Sequence, residues 1–203
     1  MGLRSIDLEI PDASLPGDVS NWILQSRRRI ELYWDCFREQ PLPQYVECDF
    51  EYVALAIREC LEKELLDGRL FVEWGCGFAV VTGIAAILGL DAVGIEAEEF
   101  LCVEAEKLLQ KNNIHAEVWH GNFLPQGARK YAECTEPLIS LTHSIESAYS
   151  RYQMDISDFA MVFAYPWPGE EHFLRLVFER SARSGALLLM FRGPNQIELY
   201  RRT

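Results

Sequence analysis

The chain has 203 residues, 49% of them hydrophobic, and a formal net charge of −12. That length and apolar content suit one compact domain with a sizeable core. The acidic balance argues against nucleic acid as a partner, because phosphate binding needs a basic face, and leaves small molecules and proteins open.

Residues 1–17 read as an irregular, proline-containing lead-in. From Ser20 to Glu39 the residues Trp22, Ile30, Tyr33, Trp34 and Phe37 recur at helical spacing and predict a helix. The run Arg27-Arg28-Arg29 reads as its solvated face. QPLPQY at 40–45 breaks that helix, and Asp49 is placed to cap a second one. The apolar face of this second helix is Phe50, Val53, Ala54, Ile57, Leu61 and Leu65, and Asp67-Gly68 ends it.

Beyond Gly68 the pattern alternates. Strands are predicted at 69–74, 91–96, 115–120, 159–165 and 186–191, with helices at 79–88, 97–112 and 170–183. Residues 121–157 hold a Pro/Gly loop and one helix around 137–151. The strands are near-continuous apolar runs, as burial on both faces of a parallel sheet requires. RGPN at 192–195 is a turn, and QIELYRR at 196–202 is one more strand with no room for a crossover helix before it. It should therefore pair antiparallel with strand 186–191, at the sheet edge. The expected fold class is α/β, a doubly wound and mostly parallel sheet, with an antiparallel last strand and two N-terminal helices. The expected division is an N-terminal helical extension, 1–48, and an α/β domain, 49–203.

The six cysteines, at 36, 48, 60, 76, 102 and 134, stand singly, and no histidine falls near them at zinc-site spacing. They read as reduced residues of a cytoplasmic protein, and no metal is expected. MGLRSIDLEIPDASLPG lacks the apolar stretch of a signal peptide, and no apolar run reaches the roughly 18 residues of a membrane helix. Neither export nor a membrane partner is expected.

The stretch FVEWGCGFAVVTG (71–83) carries the functional signal. It ends a strand in Glu73 and follows it with Gly75 and Gly77. In open α/β sheets ligands sit beyond the carboxyl ends of the strands, against the first βα turn. A dinucleotide turn wants a third small residue where this chain has Val80, which argues against a dinucleotide oxidoreductase. The other spacing, acid-x-Gly-x-Gly-x-Gly, is met by Glu73-Trp74-Gly75-Cys76-Gly77-Phe78-Ala79, with Ala in the last place. This resembles motif I of the class I S-adenosylmethionine-dependent methyltransferases. A second strand ending in VGIE supplies Glu96, matching the acid that in this family bonds the cofactor's ribose. The similarity runs from about residue 49 to the end of the given chain.

The resemblance implies S-adenosyl-L-methionine as cofactor and methyl transfer as activity. It implies a cofactor site made of Glu73, Trp74, Gly75, Cys76, Gly77 and Ala79, of Glu96 with Ala97, and of Asn122 with Phe123 in HGNF. Physically, Gly75 permits the sharp turn, and Gly77 removes a Cβ where a ligand approaches. The turn's N–H groups and the helix start suit a carboxylate. Glu73 either fixes the turn or holds the cofactor's ammonium. Asn122 is either a turn residue or an adenine contact.

The loop after the fourth strand is AYPWPGEE (164–171), and the resemblance places it toward the methyl acceptor. Amino-methylating members carry Asn or Asp, two prolines and an aromatic there. This chain has Tyr165 and Trp167 instead of the amide and the second proline, so DNA-base or glutamine methylation is not carried over. Tyr165 and Trp167 are the candidates for the reacting side; the other reading of Trp167 packs it on helix 170–183. With Glu170 and Glu171 beside it, the loop favours a neutral or cationic acceptor, a small molecule or a protein side chain. The other reading is a protein that binds S-adenosylmethionine without transferring its methyl group. The two N-terminal helices, with Tyr45 and Phe50 on their connection, are candidates for a lid over the cofactor.

Overall fold

The computed structural model describes residues 2–36, 46–132, 138–142 and 144–203. Phe37, the QPLPQY break with Tyr45, Cys134 and His143 lie outside these residues. The described residues form seven strands: β1 (Leu3–Ile6), β2 (Leu70–Trp74), β3 (Asp91–Glu96), β4 (Glu117–His120), β5 (Met161–Ala164), β6 (Leu187–Gly193) and β7 (Gln196–Arg202). Six helices accompany them: α1 (Gly17–Cys36), α2 (Phe50–Glu62), α3 (Val80–Ile87), α4 (Glu99–Lys111), α5 (Ala148–Arg151) and α6 (Glu171–Ser181).

The sheet order is β1-β7-β6-β5-β2-β3-β4. Strands β4, β3, β2, β5 and β6 are parallel, and β7 runs antiparallel to both of its neighbours, β6 and β1. The doubly wound expectation is met, including the β6–β7 hairpin. The order reverses between β2 and β5, which opens a crevice at their carboxyl ends.

Two-residue periodicity divides the core. Phe71, Met161, Phe163, Leu187 and Leu189 face α1–α4, while Val72, Trp74, Val162, Leu188 and Met190 face α6 and the 124–159 segment. Glu73 shares the parity of Phe71 and therefore points to the α3 side.

Three expectations change. Residues 3–6 are a strand, and they pair with Leu199–Arg202, so β7 is not an edge. Main-chain bonds between Gly2 and Thr203 extend this pairing, which satisfies the outer row of β7 donors and acceptors. The predicted helix around 137–151 reduces, among the described residues, to a 3₁₀ turn at Ile139–Leu141 and the four-residue α5. Here Thr142 Oγ1 bonds back to Ile139 O, and the main chain at 146–148 pairs with Asn122, so helical bonds give way to a side-chain bond and to pairing with a distant loop. Helix α2 starts at Asp49 as expected, with its carboxylate accepting the Tyr52 N–H at 3.0 Å. It ends at Glu62, earlier than Asp67, where Glu64 turns left-handed and the Leu65 N–H closes on Cys60 O.

The basic run of α1 is more than a solvated face. Arg27 binds Glu51 of α2, and Arg29 binds Glu104 of α4. Trp22 of α1 is buried on α3, where a Cβ on Gly83 would stand 2.5 Å from its indole. Its Nε1–H donates to Val80 O at 2.9 Å. The N-terminal helix is thus seated on the helix that the glycine turn begins.

Candidate functional site

A cavity of about 660 Å³ lies beyond the carboxyl ends of β2, β3, β5 and β6. Its floor is the turn from β2 into α3. Gly75, Gly77 and Ala79 alternate in left-handed conformations, with φ of 71°, 54° and 56°. Ala79 is fully buried behind the cavity wall, so its part is conformational: it bears, with a side chain, a φ that glycine adopts freely. Gly94 lets the turn settle on β3, since a Cβ there would meet Cys76 Sγ and Thr82 Oγ1 at 2.7 Å.

The N–H groups of this turn are already paired. Those of Gly75 and Cys76 both donate to Ile95 O at 2.9 Å, that of Ala79 to Cys76 O at 2.7 Å, and that of Gly77 to Glu96 Oε2 at 2.9 Å. The expected carboxylate cradle does not carry over to these four groups. The reason lies in the register: the turn folds back onto the end of β3 and uses its carbonyl.

Glu96 is the joint of the site. Its Oε2 reaches the glycine turn, and its Oε1 accepts the N–H groups of Ala97 and Glu98 at 2.8 and 3.0 Å. Three of roughly four acceptor positions on the carboxylate are filled. One position on Oε2 remains for a ligand hydroxyl. Burial raises its pKa, against three N–H donors that lower it.

Glu73 is buried, and its Oε2 accepts the Thr82 N–H at 2.7 Å and the Thr82 hydroxyl at 2.5 Å. It therefore fixes the first turn of α3. Its Oε1 has no hydrogen bond among the described residues, and the side chain lines the cavity. Burial pushes the pKa of Glu73 up to about 8, opposed by the Thr82 bonds and reinforced by nearby Glu96.

Asn122 and Phe123 form the wall after β4. Asn122 Oδ1 accepts the Leu124 N–H at 2.9 Å, the turn-residue geometry, while the residue also lines the cavity. Phe123 stacks on Trp74 with ring centroids 5.4 Å apart and an interplanar angle of 14°. The Trp74 Nε1–H donates to buried Tyr149 Oη at 2.8 Å, so the pair is anchored from beneath. Cys76 and Ala97 complete this half. Burial raises the Cys76 thiol pKa well above its ordinary value, which keeps it a poor nucleophile.

The other half is the loop after β5. Tyr165 and Trp167 both line the cavity. Tyr165 packs edge-on against Phe191 at 5.0 Å. The lining residues that escape the sequence reading as site residues include Cys48, Glu98, Leu101, Ser140 and Arg192. None carries a motif. Arg192 is marked only by the turn signal it begins, and Ser140 lies in the stretch whose structure the periodicity misjudges. Glu98 follows directly from the Glu96 match and was the one within reach.

Among the described residues no group of three or more His, Cys, Asp or Glu is placed to hold a metal ion. None of their helices is long and apolar enough to cross a membrane.

No protein-family model matches the chain, and a search of curated proteins finds no match. Solved structures do match. An O-methyltransferase from Bacillus cereus, in complex with S-adenosylhomocysteine, superposes with a TM-score of 0.52 at 12% identity, over 88% of this chain and 67% of that one. An RNA methyltransferase from Salinibacter ruber, also with S-adenosylhomocysteine, matches at a TM-score of 0.47 and 18% identity, over 72% of this chain and 88% of that one. With the strand order, the glycine turn and Glu96 in place, the first of these likenesses identifies the architecture: the chain has the Rossmann-like fold of the S-adenosylmethionine-dependent methyltransferases.

Proposed function

We propose that the protein is an S-adenosylmethionine-dependent methyltransferase acting on a neutral or cationic acceptor, a small molecule or a protein side chain. The observation that carries this reading is the bond from the Gly77 N–H to Glu96 Oε2. It joins the two halves of the sequence signature in one cavity. The residues present fit the cofactor. The turn is free of side-chain bulk at Gly75 and Gly77, Glu96 keeps one acceptor position for a ribose hydroxyl, and Glu73 Oε1 is open to a cation. Phe123, backed by Trp74, offers a flat wall for an adenine.

When bound, the cofactor supplies an electrophilic methyl group on a sulfonium. The chain's own residues bind and orient. Glu73 and Glu96 favour positive charge in the cavity, and the loop of Tyr165 and Trp167 shapes the side from which an acceptor approaches. Residues 46–50, with Val46, Cys48 and Phe50 on the cavity wall, are read as its cover at the boundary between the extension 1–48 and the domain 49–203. The buried thiols Cys60, Cys76 and Cys102 suit a reducing compartment such as the cytoplasm. The net charge of −12 speaks against RNA as acceptor.

Calorimetric titration with S-adenosylhomocysteine tests the cofactor assignment, with NAD as control. Binding of the former and not the latter is expected; the reverse, or no binding at millimolar ligand, overturns it. Turnover of S-adenosylmethionine with a metabolite extract separates an enzyme from a protein that only binds the cofactor.

A further inference from the structure

We infer that Trp167 is the platform of a subsite for an alkylammonium group, so that the acceptor is an organic cation. This deepens the methyl-transfer reading, and rests on it only for calling the occupant the acceptor.

Three observations converge. The first is the state of the indole. The chain has five tryptophans. Four have partners: Trp22 bonds Val80 O, Trp34 packs edge-on against Tyr33, Trp74 stacks on Phe123, and Trp119 stacks on Tyr152. The indole of Trp167 alone has no ring, cation or hydrogen-bond partner among the described residues, though the residue is half-buried in the cavity wall. Large aromatic surface left without a partner inside a cavity is surface available to a ligand.

The second is the stiffness of its loop. Pro166 and Pro168 flank the tryptophan and restrict the backbone. The Glu170 N–H donates to Trp167 O at 3.0 Å, closing a turn through Gly169 at φ 92°. The Gly169 N–H donates to Glu171 Oε2 at 3.0 Å, and Glu171 Oε1 pairs with Arg192 at 2.5 Å. Glu170 Oε1 accepts the N–H and hydroxyl of Ser140 at 2.8 and 3.2 Å. A loop backbone held this way loses little freedom when a ligand docks, which favours binding.

The third is charge. Glu170, Glu171 and Arg192 line this side of the cavity and Glu198 stands behind Arg192, giving a formal balance of −2 from three carboxylates and one cation. Arg192 is held by Glu171 and lies 3.8 Å from Glu198, so it offers little to an anion. A carboxylate or phosphate ligand meets net repulsion here, while an alkylammonium gains from both the ring face and the surplus carboxylate.

The test uses choline and its uncharged carbon isostere, 3,3-dimethylbutan-1-ol. Each is titrated calorimetrically into the protein saturated with S-adenosylhomocysteine, with N-acetyl-lysine methylamide as a third arm for a protein side chain. Choline or the lysine analogue should bind at least tenfold more tightly than the isostere. Whichever of the two binds more tightly names the source of the cation. Trp167→Ala should abolish the preference, and Trp167→Phe should keep part of it, with unfolding midpoints unchanged. Equal binding of cation and isostere, no binding of either cation to protein that does bind S-adenosylhomocysteine, or a preference surviving in Trp167→Ala overturns the inference and leaves the cofactor assignment standing. Failure to bind S-adenosylhomocysteine overturns the methyl-transfer reading instead. The same titrations without it then decide the subsite.

Discussion

The two halves of the cavity are built from different materials. Over β2 and β3 the wall is main chain: a turn with left-handed residues, the Ile95 carbonyl, and a carboxylate accepting three backbone N–H groups. Over β5 and β6 it is side chain: an aromatic loop braced by Glu170 on Ser140 and by Glu171 on Arg192. A main-chain wall accepts few residue types and recognises a constant ligand. A side-chain wall can be rewritten residue by residue, as suits the part of a site that selects the acceptor. Substitutions in the first half should therefore damage fold and cofactor binding together, whereas those in the second should alter acceptor handling alone.

The largest separation is expected from Glu96→Ala. It removes a charged hydrogen-bond acceptor and should weaken S-adenosylmethionine binding by about 1.5–3 kcal/mol. Because the same carboxylate holds the Gly77, Ala97 and Glu98 N–H groups, the midpoint of thermal unfolding should fall as well. Unchanged affinity, measured calorimetrically, sinks the ribose assignment. Its counterpart on the other side, Trp167→Ala, should leave cofactor affinity within about twofold of wild type while methyl transfer to the acceptor is lost.

Gly94→Ala should follow in size. The new Cβ collides with Cys76 and with Thr82, and Thr82 is tied to Glu73, so neither neighbour moves freely. A cost of about 1–3 kcal/mol in urea unfolding is expected, as for other overpacked sites. A variant as stable as wild type would mean that the turn does not rest on β3.

The pH dependence sharpens the same contrast. Glu73 titrates near 8 in the folded chain against an ordinary 4.5. Its contribution to stability is complete below the ordinary value and is lost as pH rises through about 8. Between those limits Glu73→Gln should flatten the fall in unfolding free energy. A cation bound beside Glu73 favours its ionised form, so cofactor affinity should rise across the same window in wild type and not in the variant. Parallel curves for the two proteins would contradict this.

The smallest effect is expected at Ala79. Replacing it with glycine relieves a left-handed alanine, worth about 1–2 kcal/mol, against the entropy glycine adds to the unfolded chain, about 0.4–1 kcal/mol. Ala79→Gly should therefore stabilise by up to about 1.6 kcal/mol, read from the urea midpoint, with cofactor binding unchanged.

Much of this molecule is legible from the order of its residues. The alternation of apolar runs, the Asp49 cap and the turn at RGPN are local signals, and each corresponds to a structure made by neighbours in sequence. The glycine turn and Glu96 are legible for the same reason: the backbone conformations at 75 and 77 admit few residue types, and the acid stands where a strand ends. What was not legible depends on partners far away in the chain. Leu3–Ile6 is too short and too polar to declare itself, and becomes a strand because β7 presents an unpaired row of main-chain groups about two hundred residues later. Residues 146–148 abandon a helix because the main chain of Asn122 offers better-placed partners. The pairing of the turn's N–H groups with Ile95 and Glu96, the bracing of the loop by Arg192 and Ser140, and the unpartnered face of Trp167 are matters of distance and occupancy. Local sequence sets the conformations a segment can adopt, but only the assembled sheet decides which polar groups meet and which side chain is left open to a ligand.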